Sequence, residues 1–207
     1  MALAGLTLQA PAFAADAASQ HHVRGTISAV SPTVLTVATA TGSVDVPLGA
    51  KTGVLGVVSA NASEITPGTF IGTANVPGAG AARALEVVVF PKAMAGTGEG
   101  DYPWDLPAGG KHSMMTNGTV ANAGGGHSMM TNATVSHVMG GGVKTVKLTY
   151  KGGTKTVTIP ADAPIVRIVP GTKALLAKGA HVVVLPGAGE APARAVIVGE
   201  KGVVPPM

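Results

Sequence analysis

The sequence predicts an all-β protein: two tandem five-stranded OB-like Greek-key barrels joined by a Gly/Pro-rich linker. The composition favours many short strands and tight turns, because 30 glycines and 15 prolines occur in a chain that is 46% hydrophobic and 12% charged. The segment 23–87 also recurs loosely as 131–198, which indicates an internal duplication. Within the second copy, 147–151 and 154–159 alternate polar with apolar residues, as half-buried strands do.

Residues 1–15 have the pattern of a secretory signal peptide. The stretch 3–8 is apolar and 11–14 (PAFA) offers a cleavage site of the A-x-A type. No Lys or Arg precedes the apolar run, which suggests that the signal is truncated at its N-terminus. The run is too short to span a bilayer, so we expect an exported, periplasmic protein. The sequence contains no cysteine, which excludes disulfides, thiolate metal sites and cysteine nucleophiles.

The first barrel is predicted over residues 21–91. Its five strands are expected at 23–30, 34–37, 44–47, 69–76 and 83–87, with a short helical link at 60–65. A link between the third and fourth of five strands is the order of the OB-fold. Because aromatic residues make up only 3% of the chain, Val, Ile, Leu and Ala must fill the core.

Residues 92–130 are interpreted as the linker. Its Gly- and Pro-rich part carries Trp104, the only tryptophan of the chain. We expect this side chain to pin the linker across the seam between the barrels, and a Trp-lined ligand edge is the alternative. The hexapeptide HSMMTN occurs here twice, at 112–117 and 127–132.

The second barrel is predicted over residues 131–207, with its first strand at 131–138 and its helical link at 172–177. The stretch 116–120 is a near-copy of 131–135, which suggests that the beginning of the first strand was duplicated in tandem. The upstream copy then has no barrel of its own to complete. We expect it either to pair as an extra edge strand or to remain a loop.

The order and spacing of these elements resemble uncharacterised bacterial exported proteins built from tandem small OB-like β-barrel domains. The resemblance rests on V-x-G-x-I-x-x-V at 23–30, on L-T-V at 35–37, and on the Pro-Gly pair at 77–78 before a Val-rich strand. It covers roughly two-thirds of the chain and implies a fold and a location. It implies no catalytic residue.

Soft metal donors are concentrated between residues 112 and 139, where three of six histidines and five of eight methionines lie. Imidazole nitrogen and thioether sulfur suit copper, above all Cu(I). In an extended chain, alternate side chains share a face, so each His-x-Met pair can point the same way. The candidate metal ligands are His112, Met114, Met115, His127, Met129, Met130, His137 and Met139.

A packing role is the alternative for these residues, since methionine is an adaptable core filler and the second hexapeptide can be drift after duplication. The pair His21 and His22 is read as a solvated tail or as further ligands. His181 lies in an apolar strand and is expected to be a satisfied core or edge histidine.

Charge is divided unevenly between the halves of the chain. Residues 1–105 hold four Lys/Arg against seven Asp/Glu (−3), whereas 106–207 hold ten against three (+7). A basic cluster on the first hairpin of the second barrel favours contact with an envelope protein or an anionic polymer. Nucleic-acid binding is not expected, because only Tyr150 is available there for base stacking. The cluster consists of Lys144, Lys147, Lys151 and Lys155.

No catalytic motif is present. The sequence lacks G-x-S-x-G, H-E-x-x-H and P-loop patterns, and the acidic residues of 99–105 crowd one glycine-rich loop. We therefore expect a non-enzymatic binding protein. Copper binding through the Met/His segment is the specific hypothesis. A structural or adaptor module of the cell envelope, acting through the basic second barrel, is the alternative.

Overall fold

The fold is all-β, as the composition predicts. The computed structural model describes residues 21–108, 111–125, 143–189 and 191–206. The strands and turns, in chain order, are β1 (Val23–Val30), β2 (Val34–Thr39), β3 (Gly42–Pro47), β4 (Gly53–Ser59), a 3₁₀ turn (Ala62–Glu64), β5 (Phe70–Val76), β6 (Ala82–Ala84), β7 (Val87–Val89), a 3₁₀ turn (Lys92–Met94), β8 (Gly100–Ala108), β9 (Lys111–Gly125), β10 (Lys144–Tyr150), β11 (Gly153–Ile159), β12 (Ile165–Pro170), a 3₁₀ turn (Lys173–Leu175), β13 (His181–Leu185) and β14 (Ala195–Gly199).

Five of these strands form a closed barrel. Going round it, β5 pairs with β9, β9 with β10, β10 with β11, β11 with β6, and β6 with β5 again. Aliphatic side chains fill the interior, among them Ile71, Val120, Leu148 and Val157, each at most 1% exposed. Burying each such side chain contributes about 1.5–3 kcal/mol, so the barrel has a core without aromatic residues.

The remaining strands continue the same sheet in the order β3-β2-β1-β13-β14-β4-β12-β7-β5. A second aliphatic cluster, which includes Ile27, Leu35 and Val196, lies under β1, β2 and β14. A third cluster joins the two parts and includes Val57 of β4, with Ile168 of β12 packing beside it. The antiparallel pair β4–β12 therefore lies in the middle of the molecule.

The predicted division into one barrel at 21–91 and another at 131–207 does not match the pairing of the strands. The closed barrel combines β5 and β6 with β9, β10 and β11, and β1 pairs with β13 near the other end of the chain. The reason lies in β4 and β12, two apolar strands that the sequence pattern missed. Because β4 and β12 pair with each other, each half of the chain crosses the middle of the molecule, and the strands on either side of the crossing pair with strands of the other half.

The beginning of the second half also differs from the prediction. Residues 100–108 and 111–125 of the predicted linker form strands β8 and β9, and Val120 of β9 makes hydrogen bonds that correspond to those of Ile27 in β1. The Val120 amide donates to the Thr69 carbonyl, and the Val120 carbonyl accepts from the Gly68 amide, both at 2.8 Å. In the same way, the Ile27 amide donates to the Ala180 carbonyl at 2.9 Å and its carbonyl accepts from the Gly179 amide at 2.8 Å. The predicted first strand at 131–138 lies outside the described residues.

The two predicted helical links, at 60–65 and 172–177, are single 3₁₀ turns. Both are too short for an α-helix, because a Pro-Gly or Lys-Gly pair follows within a few residues and the glycine takes a positive φ (Gly68 at 86°, Gly179 at 91°). Within the described ranges, no helix has the length and apolar character that a membrane crossing requires.

One acidic side chain is buried in this framework. Glu86, between β6 and β7, is 2% exposed, and its Oε1 atom has no hydrogen-bond partner. Burial raises the pKa of Glu86 to about 8, although the charge of Arg24 acts in the opposite direction. At neutral pH the carboxyl group is therefore largely protonated.

We expect Gly118→Ala to lower the free energy of unfolding by about 1–3 kcal/mol, because a Cβ there would lie 2.6 Å from the Thr149 carbonyl oxygen of the paired strand β10. Thermal denaturation measures this. Gly53→Ala is the control, since its Cβ would meet nothing closer than 3.6 Å. An unchanged melting temperature for Gly118→Ala would mean that β9 does not lie beside β10.

We expect the stability of the protein to depend on Glu86 between about pH 4.5 and 8. In this window the unfolded chain ionises Glu86 and the folded chain does not, so stability is full below the unfolded pKa and falls as pH rises, by at most roughly 1.4 kcal/mol per pH unit. Glu86→Gln should remove this slope in chemical denaturation across that range. Glu64→Gln, at an exposed ion pair with Arg167, should keep it. Parallel slopes for the Glu86 variant and the parent protein would contradict the assignment.

Candidate ligand-binding site

The hairpin β8–β9 is fastened to the N-terminal strand by one carboxylate. Asp105 of β8 accepts hydrogen bonds from the backbone N–H of His22 (2.7 Å) and from both terminal nitrogens of Arg24 (2.7 and 3.1 Å), and its Oδ1 lies 3.0 Å from His22 Nδ1. Burial alone would raise the pKa of Asp105, but these hydrogen bonds hold it well below its usual range. The carboxylate is therefore ionised and geometrically fixed.

This arrangement corrects the interpretation of His22 as part of a solvated tail or as a metal ligand. His22 is 8% exposed, and its ring centroid lies 4.4 Å from that of Trp104 at an interplanar angle of 38°. His21 beside it is exposed. His181 is half-buried with its Nδ1 atom 3.2 Å from the Thr26 hydroxyl, which is the satisfied histidine that the sequence predicts.

Trp104 packs the β8 segment against the central sheet, and its predicted place across a seam between two barrels stays a prediction. Its ring packs against the central cluster formed by Val57, Ile168 and their neighbours, and Tyr102 meets it edge-on at 6.2 Å between centroids. The strand register brings this about, because Trp104 lies opposite Ser113 of β9, whose hydroxyl donates to the Trp104 carbonyl at 3.0 Å.

The first hexapeptide is divided between the two faces of β9. Ser113, Met115 and Asn117 point to one face, and all three are buried. His112, which is exposed, and Met114, which is half-buried, point to the other. Of the first group, Met115 and Asn117 line the space beneath Trp104.

That space is a cavity of about 120 Å³. Its wall has three sources: the loop after β7, the β8–β9 hairpin and the central sheet. The loop and the hairpin contribute Phe90, Met94, Tyr102, Trp104, Met115 and Asn117. The sheet contributes Leu55, Ile168, Leu185, Ala195 and Ile197. His22 and Arg194 also line the cavity.

Two polar atoms of the lining residues are buried without a hydrogen-bond partner: the Trp104 Nε1 donor and the Asn117 Oδ1 acceptor. Asn117 is held in place because its Nδ2 donates to the Gly98 carbonyl and to the Tyr102 hydroxyl, both at 3.0 Å. The absence of a side chain at Gly72 leaves room for its Oδ1. Buried polar atoms are rarely left unpaired, so two such atoms on residues that line one cavity favour a bound partner there.

One charged group faces the same space. Arg194 is half-buried and lines the cavity, and its Nε donates to the Pro186 carbonyl at 3.0 Å. Burial raises the pKa of Tyr102 to about 12, although the charge of Arg194 acts against this. Tyr102 is therefore a neutral hydroxyl at working pH, able to donate its own proton.

The predicted copper ligands are only partly within the described residues. His112, Met114 and Met115 are described, whereas His127, Met129, Met130, His137 and Met139 lie outside. Met115 faces the cavity, so it is on the opposite face from the His112–Met114 pair. The parts of the chain that the structure describes hold no group of three or more His, Asp or Glu side chains placed to hold a metal ion. Copper binding stays a prediction.

Half of the basic cluster predicted as a contact surface is engaged within the molecule. Lys144 donates to two backbone carbonyls, of Ala62 and Ile65, and Lys155 forms an ion pair with Asp101 at 2.8 Å. Lys147 and Lys151 are exposed. An envelope partner also stays a prediction.

Sequence reasoning pointed to the β8–β9 segment but missed most of the cavity wall. The lone tryptophan and the repeated hexapeptide were the available signals for Trp104, Met115 and Asn117. Nothing in the sequence distinguished Arg194 from the exposed Arg83, its counterpart in the first repeat.

Comparison with protein-family models, with curated proteins and with solved structures finds no match to this chain. The predicted family and the predicted export therefore stay predictions. What the cavity holds has to be argued from its own geometry.

Proposed function

We propose that this protein is a non-enzymatic binding protein for a small, mainly apolar molecule held beneath Trp104. The observation that carries the proposal is the cavity itself: its lining is mainly apolar, and two of its lining residues, Trp104 and Asn117, each hold a buried polar atom without a hydrogen-bond partner. Ligand sites commonly combine an apolar lining with a few fixed polar groups.

The size of the cavity limits the ligand. A cavity of about 150 Å³ lined by aliphatic and aromatic residues accommodates benzene, so about 120 Å³ limits the buried part of the ligand to at most a single ring or a short branched chain. A ligand of about seven to nine non-hydrogen atoms, at about 0.5–0.9 kcal/mol each, gives dissociation constants between roughly millimolar and micromolar.

The polar groups of the wall support binding better than catalysis. The Asp105 carboxylate is fully used by His22 and Arg24, so it holds the wall in position. Tyr102 stays protonated and Asn117 is locked by two donated hydrogen bonds. These groups can orient a ligand without transferring a proton from it.

We also infer that the two halves of the molecule derive from two OB-like Greek-key barrels that have exchanged strands across the β4–β12 pair. The matching hydrogen bonds of Val120 and Ile27 support this, as do the equivalent 3₁₀ turns. We also propose export to the periplasm, because residues 1–15 have the pattern of a signal peptide.

Copper binding is kept as a second candidate for a separate site. The observation that favours it is the accessible His112–Met114 pair on the outer end of β9, a spacing that the sequence repeats at 127–129 and 137–139. The envelope-adaptor alternative keeps only the exposed Lys147 and Lys151 as its basis.

We expect small aromatic compounds to change the fluorescence of Trp104, the only tryptophan of the chain, in a saturable titration. Ala195→Leu should abolish the effect, because the added atoms fill the cavity. Ala38→Leu, the same change at an exposed position of β2, should leave it intact. No saturable response to any ring-sized or branched aliphatic compound, by fluorescence or calorimetry, would refute the proposal.

For the copper site, we expect sub-micromolar Cu(I) affinity in competition with a chelator, and its loss when His127 and Met129 become alanine. Met115→Leu should leave copper affinity unchanged, because this side chain faces the cavity. Absent binding, or binding indifferent to the double substitution, removes the hypothesis.

A further inference from the structure

Arg194 is the only Lys or Arg among the residues that line the cavity, and its surroundings are unusual for a partly buried cation. The other half-buried arginine in contact with this wall, Arg24, is paired with Asp105. Within the described ranges, no carboxylate lies within 4.0 Å of Arg194, and its recorded hydrogen bond goes from Nε to the Pro186 carbonyl. That bond fixes the guanidinium plane and leaves the two terminal nitrogens available.

A cation at the edge of an apolar space favours an anionic ligand. Removing charge from water is costly unless an opposite charge compensates for it. A guanidinium presents parallel N–H groups that match the two oxygens of a carboxylate, and such bonds are among the stronger ones in proteins. The space beside Arg194 continues into a wall of rings and aliphatic side chains, including Phe90, Trp104 and Ile197.

We propose that the ligand is a compact apolar monocarboxylate, with its ring or branched chain beneath Trp104 and its carboxylate on the terminal nitrogens of Arg194. This rests on the proposed function. Arg194 and Tyr102 line the same cavity of about 120 Å³, so the head group and the apolar body would lie within one small space. A second carboxylate would have no cationic partner in the wall, which favours a monoacid over a diacid.

Benzoate and benzamide test the proposal, because they have nearly the same shape and differ in charge. We expect the protein to bind benzoate at least about tenfold more tightly than benzamide, the usual strength of a hydrogen bond to a charged group. Arg194→Gln should abolish this preference, because it removes the charge that favours benzoate over benzamide. Arg194→Lys should give an intermediate value, since it keeps the charge but loses the parallel N–H groups.

Arg83→Gln is the matched control, because Arg83 is the repeat counterpart of Arg194 and is exposed on β6. It should keep the parent preference for benzoate. If the Arg194 variants do not fold, salt titration of the parent protein replaces them. Benzoate affinity should then fall with rising salt and benzamide affinity should not.

The outcomes separate the two proposals. Equal affinity for benzoate and benzamide in the parent protein, or a preference that persists in Arg194→Gln, overturns the carboxylate assignment and leaves the cavity as a binding site. Failure of both compounds, together with neutral ring-sized and branched aliphatic compounds, overturns the proposed function as well.

Discussion

The pairing of β9 with β5 is the interaction on which the rest of the molecule depends. It closes the barrel, because β9 also pairs with β10, and it places Val120 in the barrel core. The same strand presents Met115 and Asn117 to the outside of the barrel, where they line the cavity together with Trp104 of β8. One alternating strand thus connects the hydrophobic core to the candidate site.

The cavity exists because the β8–β9 hairpin above it is held by hydrogen bonds and not by close packing alone. The Asp105 carboxylate fixes β8 against the N-terminal strand. The Asn117 amide donates to Gly98 in the loop before β8 and to the Tyr102 hydroxyl within β8. A cover attached at two edges can span a space that aliphatic side chains do not fill. The burial of the Asp105 carboxylate is compensated by charge-assisted hydrogen bonds from Arg24.

The sequence was sufficient for the fold class and for most strands, because alternation and turn residues are local signals. It failed at β4 and β12, whose apolar residues are buried in the middle of the sheet and do not alternate clearly. The exchange of strands between repeats could not be deduced, since both repeats carry the same pattern and either pairing satisfies it. For the site, Trp104 was conspicuous by its rarity, whereas Phe90, Ile168 and Arg194 are ordinary residues until the fold brings them together.

Arg83 and Arg194 occupy corresponding places in the two repeats, yet one is exposed and the other half-buried. In the described part of the chain, the β8–β9 hairpin lines the cavity together with Arg194, whereas Arg83 is not among the lining residues. Two similar halves therefore become inequivalent through a single inserted segment. That segment carries the only tryptophan and the buried donors and acceptors, so the part of the chain that breaks the symmetry is also the part that builds the site.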